Sequence, residues 1–170
     1  LALVAHMSRL ECVRETLRLA VNFLVAFGGS TAWEPWFTRY ADRNPPDLRN
    51  ASVERLRTTM DQAGRDVRDV LAKIKTLGDT VVQSEPVALL QRVFDEQFET
   101  TEEEAPLQRH ATPAGAVHNP HDPGAEWSTK GTLGKAGWVG SKLQVCETAP
   151  ENARQPGEPT EAVITAMLTQ

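Results

Sequence analysis

The densest group of chemically active side chains lies in the stretch HNPHDPGAEWSTKG, from His118 to Gly131. Within fourteen residues it holds two histidines, an aspartate, a glutamate and a lysine. Its Asn-Pro and Asp-Pro pairs favour a surface turn. His118 and His121 could instead bind a transition metal, although the proline between them disfavours a helix and the sequence has no matching Cys or His cluster. Asp122 could also be a ligand of Mg²⁺ at a sheet edge, since Mg²⁺ takes one or two carboxylates together with phosphate oxygens. A surface turn is the simplest of the three interpretations, because it requires no bound metal. Spacing alone leaves all three interpretations open.

A second group consists of six cations that follow one another along one predicted helix. They are Arg55, Arg57, Arg65, Arg68, Lys73 and Lys75. They could contact the phosphates of a nucleic acid. Four acidic residues are interleaved with them, namely Glu54, Asp61, Asp66 and Asp69. An ordinary helix surface with ion pairs between neighbouring turns is therefore the simpler interpretation.

Other catalytic signatures are missing from the sequence. No glycine-rich phosphate loop follows a predicted strand, and there is no G-x-S-x-G nucleophile motif. Cys146 falls within a predicted strand, where a packed small hydrophobe is expected rather than a nucleophile. Trp33 and Trp36 are expected to pack in the core rather than to stack on bases.

Composition limits the class of protein. The chain has 18 basic and 23 acidic residues, a net charge of −5, which counts mildly against nucleic-acid binding but allows a local basic face. No apolar run approaches the roughly 20 residues of a membrane helix. We expect a cytoplasmic protein with Cys12 and Cys146 as free thiols. Because the first residue is Leu1 and the last predicted strand runs to the end, we expect both ends to be cut.

The chain divides near residue 104. Residues 1–104 hold four of the eleven prolines and four of the eleven glycines, whereas residues 105–170 hold seven of each in a shorter stretch. This shift predicts a change from helices to loops and short strands. We expect a helical region over residues 1–104, a linker over 105–116 and a strand-containing part over 117–170, which together make an α+β chain.

The first two predicted helices are separated by a glycine pair. One apolar stripe of helical period runs from the start of the chain to Gly28-Gly29, which is a plausible end. Ser30 or Thr31 can cap a short second helix.

Two longer helices are predicted after a proline turn. The third begins at Ser52, is interrupted by Gly64 and gives way at Gly78. The last runs from Pro86 to Phe98, with Ser84 as its cap.

From Val117 onward the apolar period changes to two. Alternation from Trp138 to Val145 predicts a half-buried strand. The apolar, β-branched stretch from Ala162 to Leu168 predicts a second strand, antiparallel to the first.

The stretch HNPHDPGAEWSTKGTLGKAGWVGSKLQVCET, followed by GEPTEAVITAMLTQ, resembles bacterial insertion-sequence transposases of the DDE type. It is most similar to the actinobacterial branch, in which a D-P-x-A-x-x-S-T-K segment precedes a W-V-G-Y-K strand. The upstream pieces RLECVRETLRLAVNFL, WEPWFTRYADR and ALLQRVFDEQF also resemble that branch. The likeness spans most of the chain and is specific in the last fifty residues.

The resemblance implies a helical N-terminal region followed by the three opening antiparallel strands of an incomplete ribonuclease-H-like catalytic domain. Family members cut and join DNA with two Mg²⁺ ions held by an Asp-Asp-Glu triad. Asp122 best matches the first metal-binding, catalytic aspartate. Lys130 and Lys142 match basic positions of the family, which implies contacts to DNA phosphates at the ends of the insertion sequence.

The sequence departs from the family in two ways. Ser141 stands where the family has tyrosine, and the chain ends at Gln170, before the second aspartate and the glutamate. One carboxylate cannot hold two divalent ions, so we expect a transposase fragment that is inactive alone. The alternatives are a non-catalytic helical module that binds DNA ends or pairs with another copy, and a purely structural helical protein with a disordered tail.

Overall fold

The computed structural model describes residues 7–41, 48, 50–100, 105–128, 138–140, 143–148 and 163–169. This part of the chain contains helices α1 (Arg9–Gly28), α2 (Glu34–Tyr40), α3 (Val53–Ile74), α4 (Asp79–Val82) and α5 (Glu85–Gln97). It also contains strands β1 (Phe98–Glu99), β2 (Leu107–Gln108), β3 (Glu126–Ser128), β4 (Trp138–Gly140), β5 (Leu143–Thr148) and β6 (Val163–Thr169). The protein is thus mostly helical with a few short antiparallel strands, as the α+β prediction requires.

Helix α1 has well-defined signals at both ends. Ser8 and Glu11 form a reciprocal capping box, in which Ser8 Oγ accepts from the Glu11 backbone and the Glu11 carboxylate accepts from the Ser8 backbone. Gly29 ends the helix with a φ of 85°, a value that favours glycine. The predicted stop at Gly28-Gly29 is confirmed.

Helix α2 starts later than the sequence suggested. The Trp33 amide donates to the carbonyl of Ser30, so residues 30–33 form a turn and Trp33 occupies the cap position. Pro35 lies in the first turn, where its missing N–H leaves no hydrogen bond unmade. The prediction that Ser30 or Thr31 caps this helix is therefore wrong.

Helix α3 runs unbroken through Gly64, so the predicted interruption there is wrong. A Cβ atom at Gly64 would lie 2.5 Å from Cε1 of Phe98. The glycine lets the Phe98 ring lie against the helix backbone, a long-range contact that sequence spacing does not reveal. The helix ends at Ile74, and Gly78, with a φ of 95°, precedes the short helix α4, which was not predicted.

Helix α5 matches the prediction closely. Ser84 is at the cap position and Pro86 lies in the first turn. The helix ends at Gln97, and Phe98 begins β1 instead of closing the helix.

The hydrophobic core lies among the helices. Helix α1 packs against α2, α3 and α5, and its inward side chains are almost fully buried. The largest fully buried apolar side chains of the described residues include Leu17, Leu24, Trp33, Ile74, Leu90 and Phe98. Val117 belongs to the same core with an exposed fraction of 3%. The domain boundaries at residues 104 and 117 stay predictions, but the packing of Val117 joins the start of the last segment to the helices.

The described strands form three separate two-stranded antiparallel sheets, in the pairs β1–β2, β3–β4 and β5–β6. The prediction that the strand starting near residue 162 runs antiparallel to the strand around residue 145 is confirmed, with Leu143 opposite Thr169 and Thr148 opposite Val163. The two ends of the strand predicted over residues 138–145 have different partners, because β4 pairs with β3 and β5 with β6. A three-stranded sheet, which the resemblance implies, is not seen among the described residues.

No described helix has both the length and the apolar content that a membrane span requires.

Candidate functional site

Asp122 lies in a turn that precedes β3, and not on a strand. Its amide donates to the carbonyl of Asn119 over 3.1 Å, and its own carbonyl accepts from the Ala125 amide over 3.1 Å. The side chain of Asp122 is partly exposed. The backbone of this stretch therefore forms a turn, as the surface-turn interpretation predicted. The assignment of Asp122 as a metal ligand stays a prediction.

The turn is attached to α1 through its second histidine. His121 Nε2 lies 2.7 Å from Oε1 of Glu15, and the same carboxylate accepts from Arg18 over 2.6 Å. The hydrogen bond from Arg18, together with that from His121, holds the pKa of Glu15 below its usual value against the opposing effect of burial. The His121 amide also donates to Asn119 Oδ1 over 2.9 Å.

The two histidines have different neighbours. The ring of His118 lies 6.3 Å from that of Trp127, whereas His121 contacts Glu15. In the described part of the chain, no three His, Cys, Asp or Glu side chains are grouped as a metal site would require. The described residues therefore do not fit the two-ion Mg²⁺ centre that the resemblance implies.

The two predicted DNA-binding lysines, Lys130 and Lys142, lie outside the described residues, and their role stays a prediction. The backbone of Cys146 lies in β5, as expected. Cys12 is buried with an exposed fraction of 1%, and burial raises the pKa of its thiol to about 11. A thiol this buried and this weakly acidic is a poor nucleophile.

Three of the six predicted cations lie on one exposed face of α3, and a fourth, Lys75, continues that face at the residue that follows the helix. Arg57, Arg65, Arg68 and Lys75 follow one another at helical spacing, with Asp61 and Ala72 at the intervening positions. We call these four residues the basic stripe. All four are exposed. At 1.5 Å per residue, the stripe spans roughly 27 Å of helix.

Arg57 and Arg65 also line a groove of about 570 Å³ between α3 and the β1–β2 pair. We call it the arginine groove. His110, two residues after the end of β2, also lines this groove. Two carboxylates, those of Asp61 and Glu99, line it as well.

Both carboxylates of the arginine groove have partners within the protein. Asp61 Oδ1 accepts from Gln108 Nε2 over 2.7 Å, and Glu99 pairs with Arg109 over 3.3 Å. No described carboxylate forms an ion pair with the guanidinium of Arg57 or Arg65. Arg65 Nε donates to the Asp61 carbonyl over 3.3 Å. The groove therefore presents the guanidinium of Arg57 and the remaining N–H groups of Arg65 to an external anion.

The remaining two predicted cations are placed elsewhere. Lys73 Nζ donates to the carbonyl of Ala32 and lies 4.8 Å from the ring centre of Trp33 and 5.4 Å from that of Trp36. This ammonium holds the turn before α2 against α3 through cation–π contacts. Trp33 is buried, as the packing interpretation expected. Arg55 is exposed but lies two residues from Arg57, a spacing that puts it on a different face of the helix.

Sequence reasoning missed a buried polar cluster around Asp66. Its carboxylate is 4% exposed and accepts from Arg39 Nη1 over 2.7 and 2.5 Å, from the Tyr40 hydroxyl over 2.5 Å and from Gln62. Burial, and then the hydrogen bond to Asp66, raise the pKa of Tyr40. Helical periodicity could have indicated the burial of Asp66, because Asp66 lies three residues after the buried Ala63 and therefore on the same side of the helix. Asp66 connects α2 to α3 and does not belong to the exposed charged face that the sequence pattern predicts for it.

Three comparisons with known proteins give no further assignment, since no family model, no curated protein and no solved structure matches the chain.

Proposed function

We propose that the chain is a transposase-type DNA-binding protein whose helical region contacts DNA phosphates through the basic stripe on α3. The observation that carries the proposal is the pair Arg57 and Arg65. Both open into one groove, and neither forms an ion pair with a described carboxylate. The resemblance to insertion-sequence transposases supplies the class of nucleic acid, namely the DNA at the element's ends.

The shape of the stripe suits a phosphate backbone. Its cations are spread along one rigid helix, so several phosphates can be contacted without ordering a loop. Arg68 already pairs with Asp69 over 3.0 Å, but this pair is exposed and contributes little to stability. A phosphate could therefore replace Asp69 at small energetic loss. Such binding is electrostatic and local, which is compatible with a net charge of −5 for the whole chain.

The catalytic part of the proposal rests on the resemblance alone. It comprises a ribonuclease-H-like domain, Mg²⁺-dependent cleavage and strand transfer, Asp122 as the first metal ligand, and phosphate contacts from Lys130 and Lys142. We expect no cleavage by the described residues alone, because no metal-site grouping of His, Cys, Asp or Glu side chains includes Asp122 there. A cytoplasmic location follows from the same proposal, since the implied substrate is bacterial DNA.

Fluorescence anisotropy with a labelled duplex tests the binding. We expect the double variant R57Q/R65Q to bind at least about 10-fold more weakly than the wild type, because each charge-assisted contact contributes about 1.5 kcal/mol or more. The matched control is R55Q, which removes an arginine from a different face of the same helix and should leave the affinity unchanged. Absence of binding by the wild type at low salt would contradict the proposal.

A second candidate function is pairing with another copy of the chain. It is favoured by Phe27, which stacks on Phe23 at the end of α1 yet has an exposed fraction of 61%. Large exposed aromatic residues are enriched at protein interfaces. Sedimentation velocity separates the two candidates, since a dimer that F27E dissociates supports pairing, and a wild-type chain that stays monomeric at high concentration excludes it.

A further inference from the structure

Residues 109–125 form a strap across α1 and α5. Polar side chains of the two helices contact it at four places. Arg92 donates to the carbonyl of Gly115 over 2.9 Å, Glu96 accepts from the Val117 amide over 2.9 Å, and Glu15 contacts His121 over 2.7 Å. A fourth contact lies at the start of the strap, where Arg9 donates to the carbonyl of Arg109 over 3.0 Å.

Few apolar residues of the strap are buried. Val117 is its one residue in the helical core cluster, and the other buried apolar strap residues are Ala116, Pro120 and Ala125. The polar Asn119 is buried as well. Residues 110–115 are exposed. Residues 111–113 form one wall of a groove of about 850 Å³ against α3, α4 and α5, so this stretch is not packed tightly on the helices. The strap is thus fixed mainly by charged and polar contacts, whereas the helices are fixed by apolar burial.

The thiol of Cys12 lies directly under the strap. Its Sγ donates to the carbonyl of Val117 over 3.5 Å, and its exposed fraction is 1%. Gly115, with a φ of 74°, marks a sharp bend just before this contact, in a conformation that glycine adopts readily. If the strap lifted at this bend, the Cys12 thiol would reach solvent while the helices kept their own packing.

We propose that the strap is a clasp that opens as a unit while the helical core stays folded, and that opening uncovers Cys12 and releases the Asp122 turn from α1. Proteins open locally with free energies below that of global unfolding where few apolar contacts hold a segment. The closed clasp fixes the Asp122 turn to α1 through His121, and so it fixes the position of β3 relative to the helices. The consequence for Asp122 rests on the proposed function, whereas the opening itself does not.

The test is the rate at which a thiol reagent labels Cys12 in the 170-residue chain, with peptide mapping to separate Cys12 from Cys146. Because Glu96 accepts from both the Val117 amide and Arg92, we expect E96A to raise the labelling rate by about 10-fold without changing the helical circular dichroism. E15A should act in the same direction, through the lost contact to His121. The matched control is E85A on the same helix α5, which should label at the wild-type rate.

The wild type provides a second, independent readout. If the clasp opens locally, labelling of Cys12 should depend only weakly on urea well below the unfolding transition, since little surface is exposed. A labelling rate that follows urea with the same slope as helix unfolding would overturn the proposal, and so would an unchanged rate in a folded E96A. These measurements use neither DNA nor metal, so a failure of DNA binding would not contradict the proposed opening of the clasp.

Discussion

The turn around Asp122 and the basic stripe on α3 offer contrasting lessons about polar residues. The turn has the greater density of residue types that perform chemistry, yet His121 and Asn119 are used to shape the turn and attach it to α1. The stripe looks like an ordinary charged helix face, yet Arg57 and Arg65 have no described carboxylate as an ion-pair partner. The comparison teaches that availability to a ligand depends on which partners the fold provides, and that residue type alone is a poor guide to it.

The largest effect on stability is expected at Asp66, which lies on the same helix as the basic stripe but is not part of it. Asp66→Ala leaves the partly exposed Arg39 and the buried Tyr40 hydroxyl without their shared acceptor, and should lower the free energy of unfolding by about 2–4 kcal/mol. Urea denaturation measures this loss. Asp69→Ala on the exposed face of the same helix is the control, with an expected change below about 1 kcal/mol. Equal effects of the two substitutions would show that the buried cluster does not position α3.

The next largest effect on stability is expected at Gly64, in the helix that carries the stripe. Gly64→Ala places a methyl group 2.5 Å from the Phe98 ring and should destabilise the protein by about 1–3 kcal/mol, because the ring must move. Thermal unfolding followed by circular dichroism measures it. Gly28→Ala is the matched control, since a Cβ there meets nothing within 4 Å. Stabilisation by Gly64→Ala would mean that helix propensity outweighs this packing, and that Phe98 does not require the glycine.

A smaller effect, dependent on pH, is expected where the turn meets α1. The pKa of Glu15 is lower in the folded protein than its ordinary value of 4.5, so ionised Glu15 contributes stability that is fully present above about pH 4.5. That contribution is lost as the pH falls through the lowered folded-state pKa. The difference in unfolding free energy between the wild type and E15Q should therefore be present at pH 7 and shrink toward pH 2. A difference independent of pH would contradict the ion pair between the Glu15 carboxylate and Arg18.

The smallest stability effect is expected at His121, in the turn itself. The ring is about half exposed, so its contact with Glu15 is screened, and His121→Ala should lower the free energy of unfolding by less than about 1 kcal/mol. His110→Ala, in the wall of the arginine groove, is a control without a carboxylate contact in the described structure. A loss of several kcal/mol in His121→Ala would show that the turn is part of the core and not a surface attachment.

Local signals in the sequence were sufficient for α1 and α5. Their apolar periods and the glycine pair at the end of α1 act over a few residues, and the structure confirms them. Ser84 occupies the predicted cap position of α5, but its hydroxyl donates to the Val81 carbonyl and makes no capping hydrogen bond. The errors at Gly64 and at the start of α2 have a common cause, namely that each depends on contacts outside the local pattern. Phe98 lies far along the chain from Gly64, and Lys73 fixes the turn at Trp33.

The candidate site was predictable in its residues but not in their arrangement. The five cations of α3 and Lys75 at its end were all identified, and helical spacing separates Arg55 from the stripe. That Lys73 is engaged by two tryptophans could not be known without the position of α2. Likewise, Glu15 lies more than a hundred residues before His121 in sequence, so no spacing rule links them. Asp122, Lys130 and Lys142 stay predictions that rest on the resemblance.

The most direct test of the central claim is the dependence of DNA affinity on salt for the wild type, R57Q/R65Q and R55Q. Between about 50 and 200 mM salt, the logarithm of the association constant should fall linearly with the logarithm of salt concentration, by nearly one unit of slope for each phosphate contacted. The account predicts a slope shallower by about two in R57Q/R65Q and unchanged in R55Q. Identical slopes in all three proteins would contradict the claim that the basic stripe contacts phosphates.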